Sequence, residues 1–173
     1  WRGDTVKNKK RADGAKPLFL YAGNIGACQG LHEILPSVIQ KAGGSIKFKL
    51  IGDGARRAEL EKRIGKFDPS HFEIVDPLPR KNLIAHYSEA DFLFLHLNSQ
   101  HAFRKVLPSK IFEYAATGKP ILAGVAGEAR DFLAKNVDGV EVFDPCSSED
   151  MMRAIVAILK SNRKVNRQKF VSV

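Results

Sequence analysis

A serine and a glutamate four residues apart, Ser109 and Glu113, have the types and spacing that best fit a chemical role in this sequence. Pro108 and Ser109 predict a helix start, because proline suits the first helical turn and serine can accept from a free backbone N–H. Gly118 and Pro120 predict the helix end. On such a helix the serine and the glutamate share a face, with about 6 Å of axial rise between them.

This arrangement is the layout that a nucleotide diphosphate requires. A helix N-terminus offers unpaired N–H groups and positive potential to a phosphate. A carboxylate one turn further along can accept hydrogen bonds from a ribose diol, as acidic residues do in nucleotide-binding folds. The alternative interpretation is an ordinary capped helix that happens to expose Glu113.

Strand-like and helix-like segments alternate along the whole chain. Apolar runs predict strands at 18–22, 46–51, 72–75, 92–97, 121–125 and 140–143. Helical spacing and end signals predict helices from residue 31 and at 56–66, 81–89, 109–117, 129–135 and 148–161. We expect Pro36 to bend the first helix, and Met152, Ile155, Val156 and Leu159 to face the core from the last.

Six such strand–helix units with short connections predict an α/β fold, a single Rossmann-like domain with a doubly wound, parallel, six-stranded sheet. Ligands of these sheets bind beyond the carboxyl ends of the strands. The loops at 23–30, 52–54, 76–80, 97–109 and 124–128 all fall on that edge.

The formal net charge of +9 lies at the two ends of the 173 residues. Residues 1–16 carry six basic and two acidic residues, residues 160–173 carry five basic and none acidic, and 17 of each sign lie between. We therefore predict a basic linker or N-terminal extension at 1–16, a folded domain at 17–160 and a basic tail at 161–173. Such ends are solvated tails or contacts to an anionic membrane surface, and the neutral body argues against a nucleic-acid partner.

The absence of targeting signals and of a disulfide framework predicts a cytoplasmic protein. No apolar run approaches the roughly 20 residues of a membrane span, and the N-terminus lacks the apolar region of a signal peptide. Cys28 and Cys146 do not form a disulfide framework. Because the chain starts at Trp1 without a methionine, we expect it to be part of a longer protein.

The first predicted loop contains Gly23 and Gly26 as Gly-x-x-Gly, which permits close approach of a ligand or is simply a structural turn. It lacks the dinucleotide-binding Gly-x-Gly-x-x-Gly spacing, and no phosphate-binding Gly-x-x-x-x-Gly-Lys-Ser/Thr occurs. A dehydrogenase and a P-loop NTPase are therefore disfavoured.

Other catalytic signatures are also missing from the sequence. It has no Asp-x-Asp and no metal-ligand spacing among its five histidines, so we expect no metal and no cofactor. A Gly-x-Ser-x-Gly hydrolase elbow is absent, and Cys28 has no recognisable base. His96 and His101 are either ligand contacts or hydrogen-bonded structural histidines, and the structural role is favoured.

Four blocks in order resemble the C-terminal, donor-binding half of the GT-B glycosyltransferases, the retaining group 1 (family 4) kind. The blocks are residues 21–26, 50–54, 108–120 and 127–128, and the resemblance extends over residues 17–160. Within that family the chain most resembles bacterial transferases of aminosugars, such as N-acetylfucosamine, in capsule, O-antigen or colanic-acid assembly.

The resemblance implies a nucleoside-diphosphate sugar donor, a UDP-sugar, and a catalytic effect that is electrostatic. Glu113 matches the family's ribose-binding glutamate, the backbone of Ser109 and Lys110 would meet the diphosphate, and Leu78 would contact the base. The full set of implied donor-binding residues is Gly23, Asn24, Gly26, Leu78, Lys105, Ser109, Lys110 and Glu113.

The chain departs from the family pattern at two places. Lys105 stands where the family often has a glutamate, eight residues before the ribose-binding glutamate. Asn24 and Gln29 occupy a loop where many members have arginine and lysine. Positive charge for the diphosphate must then come from Lys110, Lys105 or Arg104.

The same resemblance places the acceptor site on an N-terminal domain that this chain lacks, so we expect donor binding without sugar transfer. One alternative is a UDP-sugar 2-epimerase of the same fold, which would use Glu128 and His101. Another is a non-catalytic nucleotide-binding or interaction domain, since Lys105 removes a family carboxylate. We expect the protein in the cytoplasm, with its basic ends able to contact the inner face of the membrane.

Overall fold

The computed structural model of the chain describes residues 14–65 and 68–161. Within these ranges the strands are β1 Leu18–Ala22, β2 Lys47–Ile51, β3 Phe72–Val75, β4 Phe92–His96, β5 Ile121–Gly124 and β6 Val140–Phe143. The α-helices are α1 Leu31–Ala42, α2 Arg57–Ile64, α3 Arg80–Glu89, α4 Ser109–Thr117, α5 Glu128–Asn136 and α6 Ser148–Lys160. Short 3-10 helices lie at Ala27–Gln29 and His101–Lys105.

The strands form one parallel sheet in the order β3-β2-β1-β4-β5-β6, which confirms the predicted doubly wound α/β fold. β1 pairs with β2 along all five residues, but with β4 only through Phe19 and Leu20. β1 and β4 therefore part beyond Leu20 and leave a crevice at the carboxyl edge. Ligands bind at this switch point in open α/β sheets.

Helices cover both faces of the sheet and bury two hydrophobic cores. On one face Phe19 and Phe94 pack with residues of α1, α2 and α6. On the other face Leu20 and Leu93 pack with residues of α3, α4 and α5. Because both faces are covered, the central strands are continuous apolar runs, which is why their predicted boundaries lie within one residue of the observed ones.

The buried face of α6 differs from the predicted one. The buried residues of this helix are Met151, Ala154, Ile155 and Ile158. Of the residues predicted to face inward, Ile155 is buried and Met152 is partly buried, but Val156 and Leu159 are 45% and 39% exposed. The prediction was wrong because two apolar stripes with helical spacing lie side by side on α6, and only packing against the sheet selects one.

Pro36 lies inside α1 without ending the helix. Proline lacks the N–H that would bond to the carbonyl four residues earlier, which here belongs to His32. The Arg63 guanidinium, from α2, donates to that carbonyl oxygen at 3.2 Å. A contact between two helices thus replaces the hydrogen bond that the proline removes.

The predicted basic ends, residues 1–16 and 161–173, fall almost entirely outside the described residues; of these positions the structure describes only 14–16 and 161. Within the described part of the chain no helix is long and apolar enough to cross a membrane.

The loops that follow β1 and β2 lie against each other at the carboxyl edge of the sheet. Gly23 N–H donates to the Ile51 carbonyl at 2.9 Å, and Ile25 N–H donates to the Asp53 carbonyl at 2.8 Å. A β-carbon on Gly52 would overlap the Gly23 carbonyl oxygen. Glycine at position 52 therefore allows the two backbones to approach, and this contact fixes the position of the first loop.

We predict that Gly52→Ala lowers the free energy of unfolding by about 3 kcal/mol, because the neighbour it strikes is backbone and cannot rotate away. Gly43→Ala is the matched control, since a β-carbon there meets nothing within 4 Å and only its positive φ of 53° is unfavourable. That variant should lose about 1 kcal/mol. Urea denaturation measures both, and equal losses would contradict the proposed backbone contact.

Candidate functional site

Helix α4 begins at the carboxyl edge of the sheet, as the sequence predicts, but its first turn differs in one detail. Pro108 occupies the N-cap position, and no side chain accepts from the helix N-terminus. Ser109 is therefore the first helical residue and not the cap, and it is exposed. The backbone N–H groups of Ser109 and Lys110 lie in the first turn, where no intrahelical acceptor exists.

Tyr114 attaches α4 to the end of β1. The Ala22 N–H points to the side of β1 from which β4 has diverged, and it donates to the buried Tyr114 hydroxyl oxygen at 2.9 Å. Burial raises the pKa of Tyr114 well above its usual value, so the hydroxyl stays neutral. This bond holds α4 beside the end of β1, next to the loop that carries Gly23.

The Glu113 carboxylate is held by two partners. Its Oε1 accepts from the Tyr87 hydroxyl at 2.6 Å, and its Oε2 accepts from Lys110 Nζ at 2.7 Å. The side chains of Glu113 and Lys110 remain 21% and 27% exposed. The glutamate is therefore oriented by the protein yet open to a ligand.

A cleft at the switch point contains most of the sequence-predicted site residues. In the described part of the chain three adjoining cavities, of about 310, 650 and 230 Å³, share Lys110 in their walls. The predicted residues that line at least one of them are Gly23, Asn24, Leu78, Ser109, Lys110 and Glu113. Lys105, in the exposed 3-10 helix His101–Lys105, and Gly26 are not among the lining residues.

The first glycine loop offers space to a ligand more than it offers hydrogen-bond donors. Gly23 N–H is already bonded to the Ile51 carbonyl, and Gly26 N–H donates to Gln29 Oε1 at 3.2 Å. The Asn24 amide donates to the same Gln29 oxygen at 3.1 Å. Asn24 and Gln29 therefore hold this loop together through a mutual hydrogen bond.

Arg57 holds the turn at 76–80, which carries Leu78, against the loop at 52–54 that follows β2. The Arg57 guanidinium donates to Asp76 at 2.6 Å and to the Gly52 carbonyl at 3.3 Å. Hydrogen bonds to Glu61 and Asp76 raise the pKa of Arg57, so its charge is permanent. Leu78 lines two of the three cavities as a result of this placement.

His96 has the structural role that the sequence favoured. It is buried at the end of β4, where its Nδ1 lies 2.6 Å from the Gln29 carbonyl and its Nε2 accepts from Cys146 N–H at 2.9 Å. These partners assign the proton to Nδ1. The ring thus joins the first loop to the loop before α6, although one side of it still borders the smallest cavity.

The remaining candidates from the sequence lie outside the cavities. Arg104 and His101 are exposed in the 3-10 helix that ends at Lys105, Glu128 is exposed at the start of α5, and Cys28 is exposed in the other 3-10 helix. Among the described residues no three histidine, cysteine, aspartate or glutamate side chains are grouped as metal ligands would be.

Three residues that shape the site were not identified from the sequence. Tyr87 carries no local signal, because its contact to Glu113 links residues 26 positions apart. Tyr114 lies inside the 108–120 block, but its sequence position predicts only a core residue of a helix. Arg57 is one of several charged residues on α2, and only the fold brings it to Asp76.

With this fold and site in place, comparison with known proteins identifies the class: the family described as glycosyl transferases group 1 matches residues 3–170. The chain belongs to that family. A curated relative is WcaI of Escherichia coli (strain K12), named as a colanic acid biosynthesis glycosyl transferase, which is 24% identical over 155 residues. The match covers 89% of this chain but 37% of the relative, so the chain spans little more than a third of that protein.

Solved structures share the fold at lower identity. The apo form of the lipopolysaccharide outer core galactosyltransferase WaaB superposes with a TM-score of 0.70 at 14% identity, covering 98% of this chain and 47% of that one. HepE of Anabaena, in complex with UDP and glucose, superposes with a TM-score of 0.68 at 16% identity, covering 91% and 44%. The chain thus corresponds in length to about half of each.

We predict that His96 makes the protein less stable in mild acid. Burial lowers the pKa of His96 to about 4, whereas the unfolded chain protonates this ring near pH 6.5. As pH falls from about 6.5 to about 4 the unfolded state gains a proton that the folded state does not, so stability decreases by about 3 kcal/mol.

Urea denaturation across this pH range tests the assignment. His96→Asn keeps a donor towards Gln29 but does not titrate, so its stability should fall less steeply than that of the parent. His101→Asn, which removes an exposed histidine, should leave the slope unchanged. A His96→Asn protein with the parental slope would show that this histidine does not cause the acid sensitivity.

Proposed function

We propose that this chain is the donor-binding domain of a glycosyltransferase that takes a sugar from a nucleoside-diphosphate sugar, specifically a UDP-sugar. The acceptor is a glycan or a lipid-linked sugar in bacterial surface polysaccharide synthesis, and the aminosugar transferases are the subgroup we favour. Membership of the group 1 family and the likeness to WcaI support the transferase class and this kind of pathway.

One observation carries the proposal: the first turn of α4 and the Glu113 carboxylate line the same cavity. Ser109, Lys110 and Glu113 all border the 650 Å³ space. Amide donors with a lysine suit a diphosphate, and a carboxylate one turn away suits the two hydroxyls of a ribose. The bound nucleotide would therefore run along α4, with its phosphates at the N-terminus of the helix.

The base would lie towards the turn at 76–80, beside Leu78. This part of the cleft adjoins Gly23 and Gly52, where the absence of side chains leaves room for a flat ring. The structural relative HepE was solved with UDP, and starch synthase IV of Arabidopsis thaliana, with a TM-score of 0.61, was solved with ADP. These bound ligands support a nucleoside diphosphate, and the proposed role in surface polysaccharide synthesis favours the uridine form.

The catalytic contribution of this domain would be electrostatic. When the bond from the sugar to the diphosphate breaks, negative charge grows on the leaving phosphate, and donors aimed there in advance lower the barrier. Lys110 is the cation we place at this position, because it borders all three cavities while Lys105 and Arg104 border none. Gly26 and Lys105, which the resemblance also implies, border none of the three cavities, so we place them outside direct contact with the donor.

Sugar transfer also needs a binding site for the acceptor, and we place that site on an N-terminal domain outside these residues. We therefore propose that residues 17–160 bind the donor but do not transfer sugar alone, in the cytoplasm, with basic ends that can touch an anionic membrane surface. The epimerase alternative relied on Glu128 and His101, which are both exposed outside the cavities, so no observation favours it.

We predict that the chain binds UDP in calorimetry and that Glu113→Ala weakens this binding at least tenfold, because the ribose loses its acceptor. Glu89→Ala is the control, since Glu89 ends α3 and pairs with His86 at 3.6 Å. It should retain parental affinity. Binding of a short oligonucleotide with a steep salt dependence, and no binding of UDP, would contradict the proposal.

A second prediction separates the phosphate contact from the ribose contact. Lys110→Met should weaken UDP binding about tenfold, because a charge-assisted hydrogen bond to the diphosphate is lost. Uridine has the ribose but no phosphate, so its affinity should not fall. Lys105→Met should change UDP affinity less than twofold. If Lys105→Met had the larger effect, the diphosphate would have to lie nearer the 3-10 helix than we propose.

A further inference from the structure

The hydroxyl of Tyr87 makes a contact whose purpose the fold alone does not explain. Tyr87 is completely buried, yet its oxygen reaches the carboxylate of Glu113, a side chain that opens into the cleft. Burial raises the pKa of Tyr87 far above its usual value, and the hydrogen bond to Glu113 raises it further. The phenol therefore remains a hydrogen-bond donor to an anionic acceptor at 2.6 Å, a charge-assisted bond.

The position of this hydroxyl is fixed from two sides. The Tyr87 ring packs edge-on against the Tyr114 ring, with 5.8 Å between centroids, and Tyr114 is bonded to β1. Next to Tyr87 on α3, the Ser88 carbonyl accepts from buried Lys119 Nζ at 3.0 Å, and the Ala90 carbonyl accepts from the same atom at 2.6 Å. The C-terminal end of α3 is thus held by Lys119, two residues beyond the end of α4.

The two partners of Glu113, Lys110 and Tyr87, differ in how far their side chains can move. Lys110 is partly exposed and has four rotatable bonds, so it can leave the carboxylate when an anion enters the cleft. Tyr87 has no room to move. Of the two contacts, only the tyrosine can set the plane of the carboxylate before a ligand arrives, and each carboxylate oxygen keeps a free lone pair for a further donor.

Resting on the proposed function, we infer that Tyr87 is a positioning residue that aligns the Glu113 carboxylate with the ribose diol of the donor. A glutamate has three rotatable bonds, and holding one of its oxygens removes most of that freedom before binding. A preorganised acceptor does not lose this freedom when the ligand binds, so affinity rises without any direct contact between Tyr87 and the nucleotide.

The test compares UDP with 2′,3′-dideoxy-UDP, which lacks both ribose hydroxyls. In Tyr87→Phe we expect UDP affinity to fall about fivefold while dideoxy-UDP affinity stays within twofold of the parent value. A tyrosine that merely supported packing would weaken both nucleotides equally when altered. Thermal unfolding and near-ultraviolet circular dichroism establish that the variant is folded.

Tyr21→Phe is the matched control. It removes the hydroxyl of another buried tyrosine, which donates to the Asn24 carbonyl at 2.6 Å and does not touch Glu113. Any loss of affinity in this variant should be the same for UDP and dideoxy-UDP. The comparison therefore isolates the effect on the carboxylate from the general effect of deleting a buried hydroxyl.

Two results would overturn the inference, and they are distinguishable. If the parent protein prefers UDP over dideoxy-UDP but Tyr87→Phe keeps that preference, the positioning role is wrong and the proposed function stands. If the parent protein binds both nucleotides equally, Glu113 does not bind the ribose diol, and the proposed site is wrong together with the role of Tyr87.

Discussion

The hydrogen bond from Ala22 N–H to the Tyr114 hydroxyl is the constraint on which the geometry of the cleft depends. β1 pairs fully with β2 but leaves β4 after two residues, so its last amide on that side has no strand partner. An unpaired buried N–H costs about 1–3 kcal/mol. A helix residue satisfies this amide, and so the separation of β1 and β4 that opens the cleft also fixes α4 beside it.

Lys110 and Glu113, the charged side chains of the proposed donor site, pair with each other. Without a ligand, Lys110 and Glu113 neutralise each other at 2.7 Å, in a pair that is partly exposed and therefore worth about 1 kcal/mol at most. In the proposed function a nucleoside diphosphate would offer each of them a replacement, phosphate oxygens for the lysine and hydroxyl donors for the glutamate. Breaking so weak a pair would add little to the free energy of binding, and the pair itself keeps either charge from being uncompensated.

Sequence reasoning predicted the fold, and placed Ser109 and Glu113 together on one helix, because both follow from local patterns. The order of apolar runs determines a parallel sheet, and a parallel sheet brings the ends of its strands to one edge, where α4 begins at Ser109 with Glu113 one turn further along. It failed where two solutions are locally equivalent, as on α6, whose neighbouring apolar stripes differ only in how they meet the sheet. It also had no access to Tyr87 or to the backbone contact at Gly52, since both join segments far apart in sequence.

The two sides of the cleft offer a ligand different kinds of contact. On one side the glycine loop carries no charged side chain, and the N–H groups of Gly23, Ile25 and Gly26 already donate within the protein, so the loop contributes shape. On the other side α4 supplies amides, cation and carboxylate within two turns, and α3 holds that carboxylate in place. The buried Lys119 and Tyr114 contacts hold α3 and α4 in fixed positions beside the cleft, so the Glu113 carboxylate is oriented without any contribution from the loop.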